Sequence, residues 1–415
     1  MKKCTIIVSL YNDLKITTMN MYPIVLILLI IVIVITDYFF FHKLKKKTNK
    51  LILYILHFSP GLIFIIFFLY IRFGLENQHD YRISTGIIWL IFAFVVIYVP
   101  KILYSFFHFF NFSLKKVLAR KTNLLRYVGL IVSFFTLLLI LYGGLIAPRD
   151  FTLKKVVIEV PDLPASFDGF RIVQFSDFHL GNWNRNFSIM EPITQIINSQ
   201  QADILVFTGD MVNNFANETQ GWQPYFLKLK SKSGKYAILG NHDYGDYANW
   251  KNESQRDSNL ARIKQAIRAF GFRLLLNEHI YLTRGKDKIA LIGVENWSKA
   301  PLSTYGDLKK AMVGVEIPEL KILLTHDPSH WDAEVVGKQN IVLTLSGHTH
   351  AAQFGFYFNK VQLSPSSWVF EEWDGLYKKG KQYLYVNRGI GFVGIPMRIG
   401  VPPEITLIEL RVKNK

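Results

Sequence analysis

Hydrophobic positions along the chain follow two regimes. In the first, long apolar runs occupy about Tyr22–Phe41, Leu51–Phe73, Ile83–Phe107 and Tyr127–Ala147. Each approaches or exceeds the roughly 20 residues needed to cross a bilayer core, so four transmembrane helices are predicted. A cleaved signal peptide accounts for only the first of them. From about Arg149 the apolar runs shorten to the length of buried strands, at Arg171–Phe175, Ile204–Thr208, Tyr236–Leu239, Ile289–Val294, Leu320–Thr325 and Ile341–Leu345. Between some of these, Phe187, Met190, Ile193 and Ile197 recur at helical spacing, as do Leu260, Ile263, Ile267 and Phe270. Strands alternating with helices predict a layered α/β domain, to which Tyr383–Val386 and Ile405–Leu410 add later strands. No repeat of fixed period is visible.

The organisation expected is therefore an N-terminal segment 1–21, a four-helix transmembrane region 22–147 and an α/β domain 148–415. Half of the 415 residues are hydrophobic and 19% are charged, which excludes a disordered chain. The single cysteine, Cys4, excludes structural disulfides and cysteine-rich zinc modules. Residues 1–150 carry 17 Lys/Arg against 5 Asp/Glu, leaving 31 against 26 for the remainder. The net charge of +17 thus belongs mostly to the apolar part, where basic groups set topology rather than grip phosphates. No nucleic-acid partner is expected.

The same charges orient the spans. The first loop holds Lys43, Lys45, Lys46, Lys47 and Lys50, and the third holds Lys115, Lys116, Arg120, Lys121 and Arg126. In the second, Arg72 and Arg82 balance Glu76 and Asp80. Loops one and three share a side, which the positive-inside rule makes the cytoplasm. The expected location is the cytoplasmic membrane, multi-pass, with everything after Ala147 outside. Lys2, Lys3 and Lys15 oppose this orientation, and a start at Met19 or Met21 removes them. Within the spans, Asp37 is expected as an interfacial carboxylate beside Lys43, and His57 and Pro60 as a kink with a local hydrogen bond.

Chemistry is concentrated where the strands of the second regime end. The first is followed by Asp177-Phe178-His179, the second by Gly209-Asp210 and the third by Gly240-Asn241-His242-Asp243. The fifth ends in His326 and the sixth in Gly347-His348-Thr349-His350. Carboxyl ends of strands in an open α/β sheet meet at one rim, so these stretches are delivered to one crevice. Of the seven histidines after residue 150, only His279 and His330 fall elsewhere. Glycines beside Asp210, Asn241 and His348 allow close backbone turns. Carboxylate, amide and imidazole donors without thiolates suit manganese, iron or zinc, and seven ligands are too many for one tetrahedral ion. Two divalent ions about 3.5–4 Å apart would activate water and neutralise charge on a phosphoryl group, so phosphoester hydrolysis is the chemistry this pattern suits.

These ordered motifs, across about residues 168–411, resemble the calcineurin-like metallophosphoesterases. The resemblance implies an α/β fold with a β-sandwich core and a set of roles. Asp177, His179 and His350 would hold one metal ion; Asn241, His326 and His348 would hold the other, and Asp210 would bridge both. His242 would be the imidazole that protonates the leaving oxygen, with Asp243 orienting His242 or its neighbourhood. Ser176-Asp177-Phe178-His179-Leu180-Gly181, Tyr385-Val386-Asn387-Arg388-Gly389-Ile390-Gly391 and Pro403-Glu404-Ile405 are similar to the bacterial branch that carries N-terminal membrane segments. Ala351-Ala352-Gln353 departs from the Gly-Gly-Gln of many relatives.

Arg388 suits either a substrate-phosphate clamp or a structural salt bridge. Asp246–Arg256 reads as a polar surface loop near the crevice mouth. Trp368, Phe370, Trp373 and Tyr377 read either as an aromatic belt toward lipid or as packing under a long loop. The expected function is metal-dependent hydrolysis of a phosphoester or pyrophosphate, with the membrane bilayer as partner and a lipid-linked or nucleotide-sugar-lipid substrate in view. Two readings of other classes are a non-catalytic, metal-stabilised sensor or scaffold for a phosphorylated ligand, and a transporter with an accessory hydrolase domain.

Overall fold

The computed structural model describes residues 24, 26–74, 81–118, 122–299, 303–315, 320–358 and 361–413. Segment 1–21, with Met19, Met21 and its lysines, and the loop residues Glu76, Asp80, Arg120 and Lys121 lie outside the described residues. Contacts divide the chain into two compact units, which part between Tyr142 and Gly143 except that the short stretch His79–Gly86 groups with the second.

Helices Leu26–Lys45 (α1), Leu51–Gly74 (α2), Tyr81–Leu118 (α3) and Leu124–Leu145 (α4) build the apolar region, and all four are long and apolar enough to cross a membrane. Most large side chains on α1 and α2 remain exposed, as lipid-facing residues are. The polar exceptions point inward. Asp37 is buried and accepts from Tyr98 Oη at 2.8 Å and Lys101 Nζ at 3.0 Å, while its backbone carbonyl lies 2.8 Å from His57 Nε2. Lys101, not Lys43, is therefore the partner of Asp37; Lys43 lies 3.2 Å from Tyr104 Oη instead. The expected interfacial pair is replaced by an internal one because α3 continues past Pro100 and brings Lys101 alongside α1.

In the second unit the strands are β1 Thr152–Val160, β2 Phe170–Phe175, β3 Ile204–Phe207, β4 Lys235–Ala237, β5 Arg273–Leu274, β6 Glu278–Arg284 and β7 Asp287–Gly293, then β8 Lys321–Leu324, β9 Leu343–Ser346, β10 Phe356–Phe358, β11 Val361–Leu363, β12 Gly375–Lys379, β13 Gln382–Val386 and β14 Glu404–Val412. They form two six-stranded sheets, ordered β1-β14-β2-β3-β4-β5 and β12-β13-β9-β8-β7-β6, and a separate β10-β11 hairpin. Within the first sheet β2 to β5 run parallel, and β14 lies parallel to β1 but antiparallel to β2. In the second, β7, β8, β9 and β13 run parallel, with antiparallel edges.

The sheets pack face to face through one core. Ile172, Val206 and Ile238 from the first meet Leu291, Leu324 and Leu345 from the second. A second apolar cluster around Trp331 covers the outer side of β8, so both faces of that strand are buried, as its continuous apolar run requires. Helices α5 Met190–Ser199 and α6 Glu253–Ala269 carry the two helical patterns read from the sequence. Asn252 caps α6 by accepting from the Gln255 N–H, so the segment expected as loop to Arg256 becomes helical at Glu253. Carboxyl ends of β2, β3, β4, β8 and β9 carry the chemical motifs.

Candidate functional site

Five of the seven metal-ligand candidates sit in left-handed backbone conformations: Asp177 (φ 52°), His179 (φ 50°), Asp210 (φ 61°), His348 (φ 75°) and His350 (φ 48°). Such conformations cost roughly 1–2 kcal/mol per residue, so the surroundings must impose them. Two buried carboxylates fix the backbone of the loops that carry or adjoin Asp210 and His179. Asp243 accepts from the N–H groups of Asp210, Met211, Val212 and Gly240 at 2.9–3.2 Å. Glu218 accepts from those of Gly181, Asn213, Asn214 and Phe215 at 2.7–3.1 Å. Glycine is needed at 240 and 347 for close approach rather than dihedral freedom: a Cβ there would run into Asp210 Oδ1 or Asp177 Oδ2.

The donor atoms then converge. His350 Nε2 lies 3.2 Å from His179 Nε2 and 3.3 Å from Asp177 Oδ1. His348 Nδ1 lies 2.9 Å from Asn241 Oδ1 and 3.2 Å from His326 Nε2. Asp210 Oδ2 stands between the groups, 3.7 Å from His179 Nε2 and 3.1 Å from His326 Nε2. Asp177, His179 and His350 form one set of facing ligand atoms, and Asp210, His326 and His348 another.

Hydrogen bonds on the far side of the rings identify which nitrogens are bare. His326 Nδ1 lies 2.7 Å from the Thr208 carbonyl, which only accepts, so Nδ1 carries hydrogen. His179 Nδ1 meets Asn213 Oδ1 at 3.1 Å, and reciprocal amide bonds with Asn182 fix that amide. His179 and His326 thus aim Nε2 at the Asp210 carboxylate from two sides, and in the neutral ring that nitrogen is a lone-pair donor. A cation, or a proton, must stand between such groups. Burial works against charge on His326, but Asp210 and Asp177 push its pKa up to about 10 in the absence of metal. Burial also opposes ionisation of Asp210, yet His326 and His242 hold it well below the usual carboxylate range. His179 goes down, chiefly through burial and then His242. These buried acceptors fit a divalent cation.

The remaining expectations resolve differently. His242 lines the crevice, and its Nδ1 donates to the Asn213 carbonyl at 2.8 Å. Of the two expectations for Asp243, the geometry matches the neighbourhood: its oxygens are engaged by the backbone of the Asp210 loop and of Gly240. Burial and the nearby Asp210 push its carboxyl up to about 7, against the pull of those N–H groups. Arg388 Nη2 donates to Asp374 Oδ2 at 2.8 Å, and its Nε lies 3.4 Å from Glu404 Oε2, with both carboxylates buried, the geometry of a structural salt bridge. A guanidinium committed to two carboxylates is a poor phosphate clamp. Of the aromatic set only Trp368 is exposed; Trp373 is buried with Ala351 and Val401, and Phe370 packs there and against the His348 ring.

Three residues of the site have no expectation behind them. Asn213 holds both His179 and His242, Glu218 holds the Asn213 backbone, and Arg398 is fully buried with Nη2 3.3 Å from His350 Nδ1. Arg398 also donates to the carbonyls of Arg388, Gly389, Gly391 and Val401, which ties the late Arg-Gly loop to His350. A lone charge inside the apolar run Ile395–Val401 was its signal. Ala351 and Ala352 keep the left-handed dihedrals (φ 47° and 49°) that glycine adopts freely. The crevice beside these groups has a volume of about 510 Å³.

The calcineurin-like phosphoesterase family profile matches residues 170–352. An uncharacterized metallophosphoesterase of Bacillus subtilis, YkuE, is 31% identical over 280 residues, covering 66% of this chain and 90% of that protein. A transmembrane protein with metallophosphoesterase domain from Danio rerio is 30% identical over 286 residues, covering 66% of this chain but 61% of its own length. An uncharacterized metallophosphoesterase of Campylobacter jejuni, Cj0846, is 28% identical over 292 residues, covering 69% of each chain.

Proposed function

The chain belongs to the calcineurin-like phosphoesterase family and is a metal-dependent, multi-pass membrane phosphoesterase, and from that premise we propose that it hydrolyses a phosphoester or pyrophosphate at a two-metal site. Asp177, His179 and His350 hold one ion, Asn241, His326 and His348 the other, and Asp210 serves both. The observation that carries this reading is the placing of the His179 and His326 Nε2 atoms, 3.7 and 3.1 Å from Asp210 Oδ2, with both Nδ1 atoms engaged on the far side of the rings. Bound manganese, iron or zinc ions supply Lewis-acid charge to the phosphoryl oxygens and activate water.

His242 acts on the leaving group. Its Nδ1–H is held by the Asn213 carbonyl, so the ring is oriented and only Nε2 is left to carry a transferable proton. Contact with Tyr247, whose ring is tilted by 32° with its centroid 4.5 Å away, further restrains the ring. Asp243 and Glu218 keep the Asp210 and Asn213 backbones in place, so the ligand set is preformed. Arg388 holds the late loop rather than substrate.

The basic loops favour the cytoplasmic membrane, with the catalytic unit on its outer side. Tethering to four spans raises the effective concentration of the site against lipid head groups, which favours a lipid-borne phosphoester. The test is purified full-length protein, wild type against Asp210→Asn and His348→Ala. Metal content by mass spectrometry, hydrolysis of an aryl phosphodiester and phosphate loss from a membrane lipid extract are all read. Both variants are expected to lose metal and activity; variants with full metal and full activity overturn the site.

A further inference from the structure

The β10-β11 hairpin has two unlike faces. Phe356 stands opposite Leu363, Tyr357 opposite Gln362 and Phe358 opposite Val361. Alternation along a strand therefore places Phe356, Phe358, Val361 and Leu363 together on one face, and Tyr357 with Gln362 on the other. The second face is fastened to the domain: Tyr357 Oη donates to Asp374 Oδ2 at 2.8 Å, and the Arg388 guanidinium lies 4.8 Å from the ring centre. The first face is wholly apolar, with its four side chains 52–75% exposed. Trp368 and Val369, in the segment that follows, are 85% and 76% exposed. The hairpin leaves the chain directly after the His350–Gln353 turn and returns at Ser364, whose hydroxyl donates to the Ala351 carbonyl at 2.8 Å.

Exposed apolar surface of this kind, on short strands whose described residues place no charge on the same face, marks a contact surface. We propose that this face, with Trp368, inserts into the interfacial layer of a lipid bilayer. A bilayer is always at hand, because only residues 146–151 separate the last apolar helix from β1 in the sequence. The four described side chains of the face carry no hydrogen-bonding group for a protein partner to read, whereas lipid needs none, and aromatic side chains led by Trp favour the interfacial depth. The proposal goes beyond the two-metal reading and stands without it. Its consequence for that reading is that the crevice mouth, rooted in the same turn, is held at head-group depth.

The test uses the full-length chain in lipid nanodiscs, where both membrane sides are open to solute. Cys4→Ser removes the only native thiol, and Phe358→Cys is labelled with an environment-sensitive fluorophore. Val313→Cys, at a site 75% exposed elsewhere on the same unit, is the water-facing control. The 358 label is expected to shift its emission to the blue, to be quenched at least threefold more by nitroxide-bearing lipid than the 313 label, and to resist iodide. Adding Phe356→Ser, Val361→Ser and Leu363→Ser should return it to iodide. A 358 label that behaves like the 313 label overturns the proposal. Shielding from both quenchers, or disulfide-linked dimers of the unlabelled Phe358→Cys chain, assigns the face to a second copy and also overturns it. No arm depends on hydrolysis, so failure of the catalytic assignment leaves the result readable.

Discussion

Replacing Arg388 by methionine separates a structural ion pair from a substrate clamp. The change removes a guanidinium that donates to Asp374 and lies 3.4 Å from Glu404 Oε2, and leaves two carboxylates whose side chains are 3% and 1% exposed. Direct attraction at 2.8 Å and an effective dielectric of about 20 is roughly 6 kcal/mol, most of it set against desolvation. Removing one partner of such a buried pair costs about 3–5 kcal/mol. Tyr385 and Thr406 still donate to Glu404, and Tyr357 to Asp374, so the lower half of that range is expected. At about 2–4 °C per kcal/mol for a domain of this size, the catalytic unit should melt roughly 6–16 °C lower. Thermal unfolding of the full chain in micelles, followed by tryptophan emission, reads this. Asp374→Asn combined with Arg388→Met should recover part of the loss, since it removes one stranded charge. An unchanged melting temperature with kcat/KM down more than about 100-fold would refute the ion-pair reasoning and restore the phosphate clamp.

His242→Gln should retain both metal and fold while lowering kcat about 10²–10⁴-fold toward substrates with poor leaving groups, and much less toward a nitrophenyl ester that needs no acid. Ala352→Gly should stabilise the chain by about 0.5–1 kcal/mol, because it relieves a left-handed alanine at an exposed position; a destabilised variant in urea unfolding would contradict the strain assignment. Stripped of metal, the chain should show a stability window set by the ligands themselves. The depressed Asp210 contributes above its ordinary pKa of 3.8 and loses that contribution as pH falls; His326 contributes fully below 6.5 and loses it as pH rises through about 10. Metal saturation should abolish the upper limb, since His326 Nε2 then binds no proton, and melting curves across pH with and without added metal check both signs.

Legibility in the sequence followed the kind of work each residue does. Ligand candidates could be read because parallel strands deliver their carboxyl ends to one rim, so Asp177, Asp210, Asn241, His326 and His348 each follow an apolar run. Buried strands such as β3 and β8 were equally plain, being apolar on both faces. Strands at the margins were not. β1 opens with Lys154 and Lys155 exposed, and β6 mixes Glu278, His279 and Arg284 with its apolar positions. β10 and β11 have no buried side to impose a pattern. Asn213, Glu218 and Arg398 escaped because they act on backbone groups and on far ring nitrogens, and an acceptor of main-chain N–H bonds has no sequence signature of its own. Asp243 was open between two roles for the same reason. Its place beside His242 suggested a side-chain partner, whereas its carboxylate binds the loop that carries Asp210.

The placement of β14 between β1 and β2 bears on how this protein is made. Strands adjacent to the membrane region emerge early in translation, yet Phe170 and Val160 acquire their neighbours only when residues 404–412 arrive. Until then two apolar edges stand open to unwanted pairing. The catalytic unit should therefore mature only after the C-terminal strand has been synthesised, and chains interrupted before residue 404 should be protease-sensitive clients of chaperones rather than partly active enzymes.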